Sequence, residues 1–447
     1  MYSLITLLCL LLFPGTTFGI DFFVNGQTGV DSATCGQQPT SPCKTIKKAL
    51  DNIPDGEVTI KIARGEYMES DITLQASPSV KNTLTFEGGW NSDFSSQELA
   101  ATSTIIHPAD TTSSWYSLFH LAIYDSNSDM SITMRYLTIK KDQASTIREG
   151  IALVINNNGH GTLIVDNTIF SGFEANAIRL YCKNSGVIQT TVLQSVFHGN
   201  NSEVISGGSR NNGQLTLTMR QNMLRDNSRV IDLYSKDSGV MVFSLENTII
   251  AHNTASEGGM AMRLSASGSG SIEAHSLNNT ITDNTSENYG GAVDVYASAS
   301  GTVRITMINT ILKNNHARIS ADDLSLTQGY LGDYTGEILF NADYCMLGEY
   351  AVQHGTPSYI STNEVNGDPG LDSTYHLTSG FAAKDAGLCG YLTGSGPFQY
   401  HRVAPDEDID GDPRPGWGKL TGCDIGADEY RFPWILFNPA TRGTRSQ

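Results

Sequence analysis

The sequence predicts an all-β solenoid, a right-handed single-stranded parallel β-helix with an N-terminal capping helix, and three observations carry that expectation. First, one short phrase recurs six times: NTIFSGF (167–173), QSVFHGN (194–200), QNMLRDN (221–227), NTIIAHN (247–253), NNTITDN (278–284) and NTILKNN (309–315). The steps between their last residues are 27, 27, 26, 31 and 31, and a period of that size marks one supersecondary unit stacked on copies of itself. Second, strict alternation precedes each phrase, as in Leu215/Leu217/Met219 and Met241/Phe243/Leu245, which is the period of a half-buried strand. Third, each unit divides at a glycine. From Gly186, Gly213, Gly239, Gly270 and Gly301 to the next closing Asn the count is 14 every time, whereas from the closing residue to the following Gly it is 13, 13, 12, 17 and 17. One arm is held to length by strand register, and the other takes insertions at 254–259 and 285–291, as loops do.

Taken in order, the chain begins with 1–19, MYSLITLLCLLLFPGTTFG, an uncharged apolar stretch with small residues at its end. It reads as a secretory signal peptide and is too short for a transmembrane span. Residues 20–345 are expected to form the β-helix with its cap, 346–430 a C-terminal module, and 431–447 a tail. In the cap region Ser41 reads as a helix N-cap with Pro42 at the first helical position, and Ile46, Ala49, Leu50 and Ile53 form one apolar stripe. Such a helix covers the open apolar end of a strand stack. The mature chain has six cysteines, which suits an oxidising compartment. Cys35–Cys43 and Cys389–Cys423 are the expected disulfides, with Cys182 on an inward strand position as a free buried thiol. The net charge of −18 argues against nucleic acid and anionic membrane surfaces as partners, because both need clustered cations.

Within the stack, Asn200, Asn227, Asn253, Asn284 and Asn315 are expected to form an amide ladder at a left-handed turn. They are architecture. Function is sought instead on the second strand of each unit. Seven residues before each closing Gly stands the column Arg179, Ser206, Asp232, Arg263, Asp294; five before stands Tyr181, Gly208, Tyr234, Ser265, Tyr296. Two readings of these outward columns stay open. One is strand-to-strand ion pairing, with Arg263 neutralising Asp232 and Asp294. The other is a polysaccharide platform, with tyrosine faces for sugar rings and Arg179 and Arg263 for uronate carboxylates; Asp232, Asp294 and Tyr296 complete that set.

Asp406, Asp408, Asp410 and Asp412 alternate around Gly411, the spacing of the first half of a calcium loop, so calcium is the candidate cofactor. Arg414 is the competing partner for those carboxylates.

Several stretches resemble known families. The entry segment, with SPCKTI (41–46), ARGEY (63–67) and FEGGW (86–90), resembles that of secreted right-handed parallel β-helix, pectin-lyase-like proteins. Those include pectate-type lyases, polygalacturonase-type hydrolases and alginate epimerases. Gly159-His160-Gly161 is similar to one polygalacturonase motif, but the remaining hydrolase, lyase and epimerase signatures are absent, and no catalytic residue is assigned. If the chain were an enzyme, Glu257 and Glu287 in the enlarged loops would be tested first. ITDN (281–284) followed by GGAV (290–293), with FHGN (197–200), resembles the repeats of polymorphic outer-membrane adhesins. The ending, with LTSGFAAKDAG, DIDGDPRP and CDIGADEY, resembles the C-terminal domain called choice-of-anchor Q, which implies a secreted surface protein. The functional expectation is therefore an exported cell-surface or secreted protein that binds polysaccharide or host cell-surface glycan without catalysis. The alternatives are a lyase or hydrolase of acidic polysaccharide, and a structural envelope spacer.

Overall fold

The computed structural model describes residues 19–430 apart from 71, 77–81, 110–115, 125–126, 143–144, 256–260, 288–289, 320, 330–334, 394–398 and 416–419. The expected signal peptide, the tail and Glu257 thus fall outside the described residues. Alternating strands stack in parallel, and the registers show a parallel β-helix. One ladder of ten strands runs from Ile72–Gln75 to Tyr350–His354. Along it Ile178 pairs with Ile205, Ile205 with Ile231, Ile231 with Met262 and Met262 with Val293, so each inward residue sits on its counterpart one unit away. The opposing ladder begins with Ile20–Val24 on Gly56–Ala63. From the middle of the chain it divides at a bend into a seven-residue and a three-residue strand, such as Gln214–Arg220 and Met223–Arg225. A third, short ladder pairs Thr254–Ala255, Thr285–Ser286 and His316–Ala317 in the arm that takes the insertions. Between the walls lies one continuous core in which Phe86, Phe119, Phe170, Phe197, Phe243 and Phe340 are fully covered.

Polar columns hold the turns. The amide nitrogen Nδ2 of Asn200 donates to Oδ1 of Asn227 at 2.9 Å, Asn227 to Asn253 at 3.1 Å, Asn253 to Asn284 at 2.8 Å and Asn284 to Asn315 at 2.8 Å. The ladder ends on a carboxylate, Asp323 Oδ1, at 2.7 Å from Asn315 Nδ2. A second buried column passes backbone amides to side chains: Thr168 to Ser195, Ser195 to Asn222, Asn222 to Thr248, Thr248 to Asn279, and finally Thr310 to the Cys345 thiol at 3.5 Å. Cys182 and Cys345 are both buried free thiols, and Cys35–Cys43 and Cys389–Cys423 are bonded.

Two expectations at the ends change. The helix spans Ile46–Asn52, and its N-cap is Thr45, whose hydroxyl accepts from Lys48 N at 3.2 Å. Ser41 and Pro42 stay outside because Cys43 is tied to Cys35 and bridged to Val24. A buried carboxylate completes the cap: Glu69 accepts from Ile46 N at 2.6 Å and from Lys47 N at 3.2 Å. Burial outweighs those two amides and pushes the Glu69 carboxyl up to about 7. The folded chain therefore holds this proton more tightly than the unfolded chain, whose ordinary value is 4.5. The stabilisation is complete below that value and is lost as pH rises through about 7. Thermal melting is expected to occur at higher temperature at pH 5 than at pH 8, by up to about 3 kcal/mol at this site, and Glu69→Gln should flatten that difference. A melting temperature that climbs with pH would reverse the assignment.

The second change concerns the C-terminal segment, expected as a module over 346–430 that begins where the stack ends. Parallel pairing continues past residue 345 through Ser358–Thr362. From there the chain turns back and lies along the flank, on the bend residues of four successive units. Gln221 Nε2 donates to Asp408 O and Asn247 Nδ2 to Glu407 O, both at 2.5 Å. Asn278 Nδ2 donates to Asp424 O at 3.1 Å, and Asn309 Nδ2 to Leu388 O at 2.7 Å. These bend residues have φ between 45° and 55°, a left-handed conformation that Asn tolerates and that turns each side chain out to the strap. Small apolar patches seal it, with Ala427 on Ile249 and Ala251, and Ile425 on Ile311 and Met346.

Candidate functional site

The ten-strand ladder brings the two sequence-read columns into register as counted: Arg179 beside Ser206, then Asp232, Arg263 and Asp294; Tyr181 beside Gly208, then Tyr234, Ser265 and Tyr296. They do different jobs. The charged column is mostly spent on its own neighbours. Arg179 Nε lies 3.1 Å from Glu149, and Arg263 lies 3.8 Å from Asp294. Burial raises the Asp232 carboxyl and pushes the largely covered Asp294 up to about 6, with Arg263 opposing both shifts.

Part of the tyrosine column opens into a cleft of about 230 Å³ lined by Arg179, Tyr181, Ser206, Gly208, Arg210 and Tyr234. Gly208 makes the floor, since a Cβ there would meet the Tyr234 ring. Burial holds the Tyr234 hydroxyl above its ordinary value, so the phenol stays neutral and keeps its proton to donate. The Arg210 guanidinium lies over that ring, 5.3 Å from its centroid. Tyr296 stands two units away on the same face, outside the cleft lining.

Arg210 belongs to a third outward column that the sequence reading stopped short of, three residues before each closing Gly: Lys183, Arg210 and Lys236 in register. Among the described residues none of the three forms an ion pair, and Arg210 Nε has no hydrogen-bond partner. Three uncompensated cations in successive strands, on a chain of net charge −18, form a local positive strip beside the half-buried Tyr181 and Tyr234. The counting that found the tyrosines would have found it two residues further on.

Other sequence candidates separate. His160 is an exposed strand residue, and its flanking glycines pack on Ile123 and Ile155 where a Cβ would clash. Glu287 pairs with Arg318 at 3.1 Å. The four aspartates of the calcium-loop spacing do not gather on one point. Asp406 pairs with Arg402 at 2.9 Å, and Asp410 with His376 at 3.1 Å. Asp408 is fully buried, its oxygens accepting from the amides of Asp410, Asp412 and Glu429. Arg414 makes no side-chain hydrogen bond to any of the four, although the Asp408 charge acts on it. It binds Glu429 at 2.8 Å, reaches across to Asn247 Oδ1 at 3.0 Å, and donates to the carbonyls of Gly426 and Ala427. The segment is a tight turn closed by the Glu407–Pro413 bridge and not an extended run with one shared face, which is why the spacing alone misleads.

No family model matches this chain, and no curated protein matches it. Solved structures align along most of its length. The complex of XylC with xylose is 11% identical at a TM-score of 0.36, covering 91% of this chain and 98% of that one. Pectate lyase Pel9A is 11% identical at 0.39, covering 92% and 96%. The A-module of the Azotobacter vinelandii mannuronan C-5 epimerase AlgE6 is 13% identical at 0.32, covering 72% and 94%. At such low identity and TM-score, nothing of their chemistry passes to this chain. Among the described residues no helix is long and apolar enough to cross a membrane.

Proposed function

We propose that this is an exported, non-catalytic glycan-binding protein that seats an acidic polysaccharide across Tyr181, Gly208 and Tyr234. The observation that carries this reading is the unpaired strip of Lys183, Arg210 and Lys236 beside the tyrosine cleft. Strands stacked at about 4.8 Å present the cations at a regular pitch, which suits a polymer with a carboxylate on successive sugars. Tyr181 and Tyr234 give apolar area for sugar faces, and Arg210 gives a planar fork for a carboxylate. Two disulfides and the apolar leader support export.

The test is retention on immobilised polyuronate. Arg210→Ala and Tyr234→Ala are each expected to weaken retention about tenfold, equivalent to about 1.4 kcal/mol, with unchanged circular dichroism. Retention should also fall with added salt. Arg263→Ala, whose partner is Asp294, should matter less. Retention unaffected by Arg210→Ala would remove the proposal.

A second reading, cleavage of the same polymer, has one observation behind it. Asp232 and Asp294, both with raised carboxyls, flank Arg263 on this face. Two strand spacings place them about 9.6 Å apart along the ladder, near the upper end of the separation used by paired-carboxylate glycosidases. Product release from polyuronate that disappears in Asp294→Asn would establish that reading and end the non-catalytic one.

A further inference from the structure

Away from the sheet face, the flank strap gathers three polar side chains beyond those that dock it on the bend residues, and two of them, His376 and Asp410, already face each other as a pair. His376, Asp410 and Asp428 each turn one ligand-type atom toward the others, and the three atoms lie within 4.8 Å of one another. A comparable group of Asp31, Cys35 and Cys43 is set aside because its two sulfurs are bonded to each other.

The imidazole is oriented from outside the group. Thr374 Oγ1 donates to Asp372 Oδ1 at 2.8 Å, which uses its only proton. The hydroxyl is then an acceptor toward His376 Nδ1, at 3.0 Å. That favours a proton on Nδ1, and in the neutral ring Nε2 then carries a lone pair facing Asp410 Oδ2 at 3.1 Å. In that tautomer two acceptors point at each other, and the Asp428 carboxylate makes a third. A proton joins two acceptors. A metal ion takes all three, and a metal-bound imidazole held by a hydrogen bond at its other nitrogen is the usual arrangement.

The backbone that presents these atoms is set in advance. The bridges Leu371–Leu377 and Glu407–Pro413 close two tight turns around His376 and Asp410. Asp428 Oδ2 accepts from Leu377 N at 2.7 Å, which ties the third group to the first. The buried Asp408 carboxylate binds the amides of Asp410 and Glu429, next to the other two. One imidazole and two carboxylates form a mixed nitrogen and oxygen set. It suits a borderline divalent ion better than calcium, which takes six to eight oxygens.

We propose that His376, Asp410 and Asp428 bind one divalent cation of the zinc class, which pins three separate stretches of the strap together. Stripped full-length protein titrated with zinc chloride is expected to bind one equivalent and to melt at higher temperature. His376→Gln and Asp410→Asn should each weaken that binding at least tenfold while leaving polyuronate retention unchanged, so the result is independent of the glycan reading. No zinc uptake by the unmutated chain, or uptake undiminished in His376→Gln, overturns the proposal. Calcium bound as tightly as zinc in His376→Gln also overturns it. Cobalt substitution of the unmutated protein gives a readout that needs no variant: a visible ligand-field absorption displaced by zinc is expected, and its absence counts against the site.

Discussion

Asn253→Ala is expected to lower the unfolding free energy by about 4 kcal/mol, seen as a drop in the urea midpoint. The side chain stands mid-ladder, and several polar groups depend on it. Asn227 N and Nδ2 both donate to Asn253 Oδ1, while Asn253 Nδ2 donates to Asn284 Oδ1 and to the carbonyls of Leu224 and Ala251. Truncation leaves two buried N–H groups and two carbonyls without this partner, and each such group costs about 1–3 kcal/mol before relaxation. Asn211→Ala is the control. Its amide also donates to the matching Asn of a neighbouring unit, Asn184 Oδ1 at 3.4 Å, but in solvent; the expected change is within about 0.5 kcal/mol. Equal losses at the two positions would show that stacking, and not burial, sets the value of these ladders.

Arg414→Ala is expected to release the strap. Arg414 is 3% exposed and joins Glu429, Asn247 and two carbonyls of the strap itself. Its removal strands the Glu429 carboxylate, which is itself buried, beside Asp424. Breaking a buried pair from one side costs about 3–5 kcal/mol. The expected signature is local: faster proteolysis between 363 and 430, and faster hydrogen exchange at the bend residues, with the strand ladders unaltered. Replacing both partners, Arg414→Met with Glu429→Leu, should restore part of the loss, since no charge is then left uncompensated. Full global unfolding in the single variant would mean that the strap is part of the folding unit.

What was legible in the sequence was what repeats. The Gly-to-Asn count gave strand register because each residue's partner sits one unit away, so the same spacing recurs and can be counted. Asp232, Tyr234 and their columns were placed correctly for that reason. The strap has no such period. Asp408 lies 187 residues from Gln221, and Asp424 146 from Asn278, so no local pattern announces their contact. The Thr45 cap was missed because the Pro42 signal is overridden by a disulfide and a strand bridge. Arg414 reads in sequence as a partner of the nearby aspartates, whereas its buried hydrogen-bond partners are Glu429, 15 residues on, and Asn247, 167 residues back.

A solenoid whose units touch only their neighbours behaves like a one-dimensional chain of spins: it frays from either end and nucleates anywhere. The strap changes that mechanics. By fastening Gln221, Asn247, Asn278 and Asn309 to one returning segment, it couples units that otherwise communicate only by relay. The strapped units should melt as a block, while the unstrapped N-terminal units keep the graded behaviour of an array. Because the segment follows those units in the chain and binds all four, the block locks only when the units beneath it are stacked.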